Sequence, residues 1–185
     1  MGTMDLSCRQ SFCFSPHCAF PCADPGLLYL GGGYRSFLFP EVPSCISLHH
    51  LKQAQLILFK IPEPACLAEC PPDRYCAHPL VDFFSIYGYC YAPPRIDENL
   101  GTVFCDDPCW CVVEIDMTDI ARAWLRGSPE NYGLVLGGGM DTRRLACASC
   151  FHEIPGMRPI LRLVYEGVSI SLPLSARDCI VTVKT

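Results

Sequence analysis

The sequence predicts an all-β fold: an antiparallel jelly-roll β-sandwich with one short helix, about residues 118–126, capping the core. Three observations carry this expectation. About ten short runs of β-branched, aromatic and aliphatic residues recur at roughly 8–12-residue spacing, separated by Gly, Pro, Asn and Asp. A helical period appears in one segment alone, within Val112 to Leu136. The chain has 185 residues, half of them hydrophobic and 18% charged; that is enough for one sizeable core and too apolar for a disordered chain.

Taken in order, residues 1–26 read as a cysteine-rich N-terminal arm, where Pro16, Pro21 and Pro25 disfavour regular structure around Cys8, Cys13, Cys18 and Cys22. Residues 27–166 form the sandwich domain. Leu27 to Leu30 is a first short strand, Gly31-Gly32-Gly33 a turn, and Tyr34 to Phe39 a second strand ended by Pro40. Leu51 to Ile61 alternates and then turns apolar on both faces, as a central strand does. Pro62 to Pro79 is a proline-rich connection carrying Cys66, Cys70 and Cys76. Val81 to Tyr91 is an aromatic strand candidate, and Thr102 to Phe104 a short edge strand. Arg143 to Phe151 and Ile160 to Tyr165 follow. Residues 167–185 are an extension, with Val168 to Leu174 and Cys179 to Val183 as a terminal hairpin able to add a strand to a neighbour's open edge.

The helix has the clearest local grammar. Val112, Val113 and Ile115 are β-branched and lead into Thr118, a suitable N-cap, with Asp119 in the first turn. Ile120 and Trp124 lie four apart, as do Ala121 and Leu125, so one apolar face looks inward while Arg122 and Arg126 look out. Gly127 and Pro129 stop the helix. Asn131-Tyr132-Gly133 is turn chemistry, and Leu134 to Leu136 a returning strand. Trp124, Ile120, Leu125 and Tyr132 are the expected core anchors.

The net charge of −5, with Lys and Arg scattered, argues against a nucleic-acid partner and against anionic membrane surfaces. No apolar run approaches the roughly 20 residues of a transmembrane segment. Fifteen cysteines are an odd number, so at least one stays free, binds something or pairs with another chain. Such density points to an oxidising location, yet Met1 to Cys22 does not read as a secretory signal.

Four stretches, YRSFLFPEVP at 34–43, LKQAQLILFKIP at 51–62, IDMTDIARAWLRGSPENYGLVL at 115–136 and MRPILRLVYE at 157–166, together resemble the DNRLRE family of bacterial surface domains, related to carbohydrate-binding jelly rolls. The resemblance covers about residues 24–166. Its most specific block is Asp116, Thr118, Trp124, Gly127, Asn131, Tyr132 and Gly133, beside Arg35, Ser36, Phe39, Ala54, Leu56, Arg158, Pro159 and Leu161. It implies an antiparallel jelly roll without catalytic activity, appended to or forming part of surface proteins, some relatives of which bind polysaccharide.

Candidate chemistry is sparse. Cys147 and Cys150 form a C-x-x-C that fits a structural disulfide or free thiols; a zinc site would need a second pair at knuckle spacing, and redox catalysis a helix N-terminus. The arm cysteines Cys8, Cys13, Cys18 and Cys22, with Cys66, Cys70 and Cys76, are further disulfide or cross-link candidates. Asp97-Glu98 and Asp106-Asp107 would supply a structural calcium if a third ligand joined them, and otherwise are solvated turns. The triplets 31–33 and 137–139 lack the Lys-Ser/Thr of a phosphate loop and read as turns. In strand alternation Tyr87, Tyr89 and Tyr91 share one face, a ligand platform for sugar stacking, a packing surface or an interface to another subunit. No constellation supports a reaction class. The expected function is therefore a non-catalytic, self-assembling subunit of a bacterial surface layer (spore coat, appendage or cell envelope) cross-linked by disulfides. The alternative is a carbohydrate-binding module acting in adhesion or targeting.

Overall fold

Alternation of side chains along each strand sets the architecture, because each strand offers one face to a core and the other to something else. The computed structural model describes residues 1–18, 20–43, 48–62, 73–166 and 179–183, the last as backbone alone. In chain order the strands are β1 (Gly2–Phe14), β2 (Leu27–Leu30), β3 (Arg35–Pro40), β4 (Leu51–Phe59), β5 (Arg74–Pro79), β6 (Thr102–Cys105) and β7 (Val112–Asp116). After helix α1 (Thr118–Arg126) come β8 (Leu134–Gly138), β9 (Leu145–Ala148), β10 (Ile160–Tyr165) and β11 (Cys179–Val183).

All pairings between these strands are antiparallel. β1 belongs to two layers. Its first half lies between β10 and β11, and the layer continues through β4 to β7. Its second half pairs β3, and that layer continues through β8 and β5 to β6. The register shifts between Cys8 and Ser11, and this irregularity is where the strand passes from one layer to the other. β2 and β9 form a separate two-stranded ribbon. The sheet thus nearly closes into the antiparallel sandwich that the sequence predicts.

The main core lies between the layers and includes Met4, Leu6, Leu38, Leu56, Leu58, Leu134, Leu136, Leu161 and Leu163. Ile120, Ala121 and Trp124 bring α1 into it, and half-buried Leu125 packs against it. Gly127 closes the helix in the left-handed region at φ 73°, its N–H donating back to Trp124. Thr118 does not act as the N-cap: Met117 holds that position without a side-chain bond. The Thr118 hydroxyl instead accepts the Ala54 N–H at 3.1 Å, tying the helix start to β4, while Asp116 Oδ1 accepts the Thr118 N–H.

A second, aromatic cluster covers the opposite face of the β1–β3–β8 layer. Phe14, Phe37, Leu80, Phe84 and Val135 are its buried members, with Phe12, Phe39, Ile86, Tyr89 and Tyr132 around them. Tyr132 therefore anchors this outer cluster rather than the main core.

Several expectations are corrected. Residues 2–14 form the longest strand, not part of an irregular arm. The arm's prolines all fall beyond Phe14, so none removes a ladder N–H, and buried Cys8 and Cys13 serve as small apolar residues. Val81 to Tyr91 is a loop of bends and turns rather than a strand. Its rings find partners on the sheet face, and ring packing, not strand pairing, uses them. The connection expected from 62 to 79 ends earlier, since β5 slots between β6 and β8; residues 63–72, with Cys66 and Cys70, lie outside the described residues. Gly137 and Gly138 belong to β8, paired with Cys76 and Tyr75, whereas Gly31-Gly32-Gly33 is a turn with all three φ positive. Of the terminal hairpin, β11 pairs the chain's own β1, so here that strand completes its own layer rather than a neighbour's. Residues 167–178 lie outside the described residues.

Candidate functional site

Two concave surfaces and a set of thiols concentrate the chemistry. The first surface lies where β4 runs out. Lys60, one residue beyond the strand, donates its backbone N–H to Cys111 and bridges Cys147. Its ammonium reaches Asp106 Oδ1 and the Asp107 carbonyl, both at 2.7 Å. Asp106 follows β6 and is 1% exposed; its other oxygen accepts from the Arg143 guanidinium at 2.8 Å. Asp73 accepts the Arg143 backbone N–H at 3.2 Å. One buried carboxylate is thus gripped by two cations from distant segments. Its charge is compensated, which a buried ion requires, and it pins the β6–β7 connection to β4 and to the loop before β9. The cleft beside it encloses about 640 Å³ and is lined by Pro108, Trp110 and Leu145 among others. Trp110 stands 64% exposed between exposed Cys109 and Cys111.

The second surface is a groove of about 540 Å³ beside the aromatic cluster, bordered by Arg9, Phe83, Tyr87 and Tyr132. Phe84 fills its floor, with ring contacts to Phe12, Phe14, Phe37, Phe39 and Tyr89. The three tyrosines expected on one face are separated. Tyr89 stacks on Phe14 with centroids 3.9 Å apart, and burial raises its phenol above the ordinary value. Tyr87 and Tyr91 stand out in solvent. The loop's turns, not strand alternation, set these directions.

The thiols divide by burial. Cys8, Cys13, Cys147 and Cys150 are buried, Cys22 and Cys76 half-buried, and Cys18, Cys90, Cys105, Cys109 and Cys111 exposed. None of these eleven is disulfide-bonded. Burial first, then the Asp106 charge, pushes Cys147 up to about 12, an inert thiol at neutral pH. Cys147 neighbours the Lys60–Asp106 pair, whereas Cys150 meets Cys8. The C-x-x-C spacing therefore leads its two thiols to different surroundings, in a strand and the turn after it rather than at a helix N-terminus.

The acidic pairs expected as solvated turns or calcium ligands lie in or beside surface turns, apart from Asp106. Asp106 is the buried ion just described. Asp107 Oδ1 caps the turn at Cys109 N–H, and Asp97 Oδ1 accepts from Asn99 and Leu100. Among the described residues no group of three or more His, Cys, Asp or Glu gathers as a metal cage. Sequence reasoning missed Lys60 and Arg143 as partners of Asp106, and it passed over Cys90, Cys105, Cys109 and Cys111 as link candidates. The available signal was a lysine ending an apolar strand and a tryptophan set between two cysteines in a turn. Among the described residues no helix is long and apolar enough to cross a membrane. No family model matches this chain, and no curated protein matches it.

Proposed function

We propose that this chain is a non-catalytic, self-assembling subunit of a bacterial surface layer, such as a spore coat, appendage or cell envelope, joined to its neighbours by disulfides. The observation that carries the reading is the set of exposed thiols, Cys18, Cys90, Cys105, Cys109 and Cys111, none bonded within the chain. An exposed thiol in an oxidising medium pairs with whatever thiol reaches it, and these five are spread over the turn after β1, the 81–92 loop, the end of β6 and the β6–β7 connection. The resemblance to DNRLRE-type surface domains supports the same setting. Native material should run as ladders or high-mass species on a non-reducing gel and collapse to monomer with reductant. The same monomer band under both conditions removes the proposal.

A second reading, a carbohydrate-binding module, is favoured by one feature: exposed Phe83 and Tyr87 border a groove beside the aromatic cluster. Binding on a glycan array that Tyr87→Ala abolishes would establish it; an array without signal would exclude it.

A further inference from the structure

Cys8, Cys13, Cys22 and Cys150 fall into two pairs, and each pair takes one member from β1. Phe14 forms an antiparallel bridge with Pro21, which places Cys13 directly opposite Cys22. The Cys22 N–H donates to the Cys13 carbonyl at 2.7 Å, while the Cys13 sulfur accepts the Tyr29 N–H at 3.4 Å. Directly opposed residues of an antiparallel pair carry their Cβ atoms about 4.5–5.5 Å apart, a little beyond what a disulfide spans, so closure draws the two backbones slightly together. Farther up the strand, Cys8 sits at the register shift where β1 changes layer. Cys150, in the turn after β9, donates its backbone N–H to Ser11 Oγ at 3.1 Å, so the same stretch of β1 receives it. The Cys8 and Cys150 thiols act on each other's acidity inside the core, both under 7% exposed.

We propose that β1 carries two dithiol sites that close as intrachain disulfides, Cys8 with Cys150 and Cys13 with Cys22, and that these lock the strand shared by both layers. The oxidant is a small-molecule disulfide of the glutathione type. In each closure one cysteine thiolate attacks the oxidant's sulfur and expels one small thiol. The partner cysteine then displaces the second small thiol, so two S–H bonds are exchanged for one S–S bond and the oxidant leaves as two thiols. Within the pair in the core, the interaction with Cys8 holds Cys150 below the ordinary thiol value, helped by Ser11 and Arg158 against the opposing effect of burial. Both closures join residues already in contact, so neither asks the sheets to re-pair. The sites extend the assembly reading without depending on it, since internal and external bonds are separate sets of thiols.

The test is a disulfide map of the full chain refolded from urea in a glutathione redox buffer, quenched with an alkylating reagent in denaturant and digested without reduction. Mass spectrometry should find the peptides of Cys8 and Cys150 joined, and those of Cys13 and Cys22 joined. The oxidised chain should melt about 10 °C above the reduced one, as expected for clips that restrict the unfolded chain. Either pair found alkylated, or joined to any other cysteine, overturns that site. The map needs no variant; as a further check, Cys8→Ser with Cys150→Ser should remove most of the melting difference, and an undiminished difference also overturns the site. A monomer on the non-reducing gel with both internal pairs present would sink the assembly proposal alone.

Discussion

β1 and the aromatic loop of residues 81–92 both rest on β3, yet they are held by opposite means. β1 lies in hydrogen-bonded ladders, with β10 and β11 along its first half and β3 along its second. The loop's backbone bonds are mostly its own, such as Ala92 N–H to Gly88. Its ends are fixed by Leu80 N–H to Gly133 and Val81 N–H to Arg95; between them it is held by rings. A strand in two ladders shares its stability with both layers, whereas a loop held by one face of side chains opens by itself. The contrast therefore separates global from local stability.

The hardest blow to that contrast falls on β1. Leu6 is 5% exposed within the main core, so Leu6→Asp buries a carboxylate among apolar side chains. The expected loss exceeds about 4 kcal/mol, a large part of a domain's whole stability. Circular dichroism in urea should show no cooperative transition at 25 °C. A normal transition would mean that β1 peels away at little cost and that the shared strand is not what joins the layers.

Next comes Phe84→Ala. Phe84 is 7% exposed and meets five other rings. Its removal should cost about 3 kcal/mol, but the damage should stay in the loop. Limited proteolysis is expected to cut within 81–92 while amide exchange in β1, β10 and β4 stays protected. Uniform loss of protection would merge the two regions into one cooperative unit.

The same two regions show what could be read before folding and what could not. Ile160 to Tyr165 is legible to the residue, because clean alternation follows a proline. The helix is legible from its 3.6 period and from Gly127, which the structure finds in the left-handed region. β1 was hidden because its cysteines look like loop punctuation until their burial shows them working as apolar side chains. β5 was hidden by the prolines upstream, although Tyr75 and Ala77 alternate inward with Arg74 and Cys76 less buried. The 81–91 loop misled in the reverse direction, since aromatic residues suit a strand and a lid equally well and only the face they meet decides. Lys60 stands out singly, as a lysine ending an apolar strand, but nothing in the sequence joins it to Asp106 and Arg143. Only the convergence of three segments makes them one cluster.

Acid should sharpen the comparison at smaller amplitude. Asp82 clasps Arg95 across the base of the loop with two contacts, one to the side chain and one to the backbone N–H, each at 2.8 Å. The hydrogen bond from the Arg95 side chain holds the Asp82 carboxyl below its ordinary value, against an opposing effect of burial. A carboxylate depressed in the folded chain lends stability above the unfolded value of about 3.9, and withdraws it as the pH falls through the lowered one. Because the pair is exposed, the effect is modest. Amide exchange corrected for intrinsic rate should rise at residues 81–95 as pH drops from about 5 to about 3. Asp82→Asn should show that faster exchange already at neutral pH, with no further rise on acidification. Equal pH dependence in the variant would place the acid response elsewhere.

Tyr87→Ala should do least to stability. Its ring is 91% exposed, and none of the loop's ring contacts runs through it, unlike its neighbour Tyr89 on Phe14. Truncation removes a surface side chain that already meets water, so the unfolding midpoint should move by no more than about 0.5 kcal/mol in free energy. Tyr89→Ala should cost several times more, through the lost stacking on Phe14 and the cavity beside Phe37. The two substitutions, two residues apart, thus ask whether the loop presents one tyrosine face or two environments. Equal losses would restore the single platform that alternation suggests. A large loss for Tyr89 with none for Tyr87 leaves Tyr87 as a ring held outward at no cost to the fold, free to be spent on a partner.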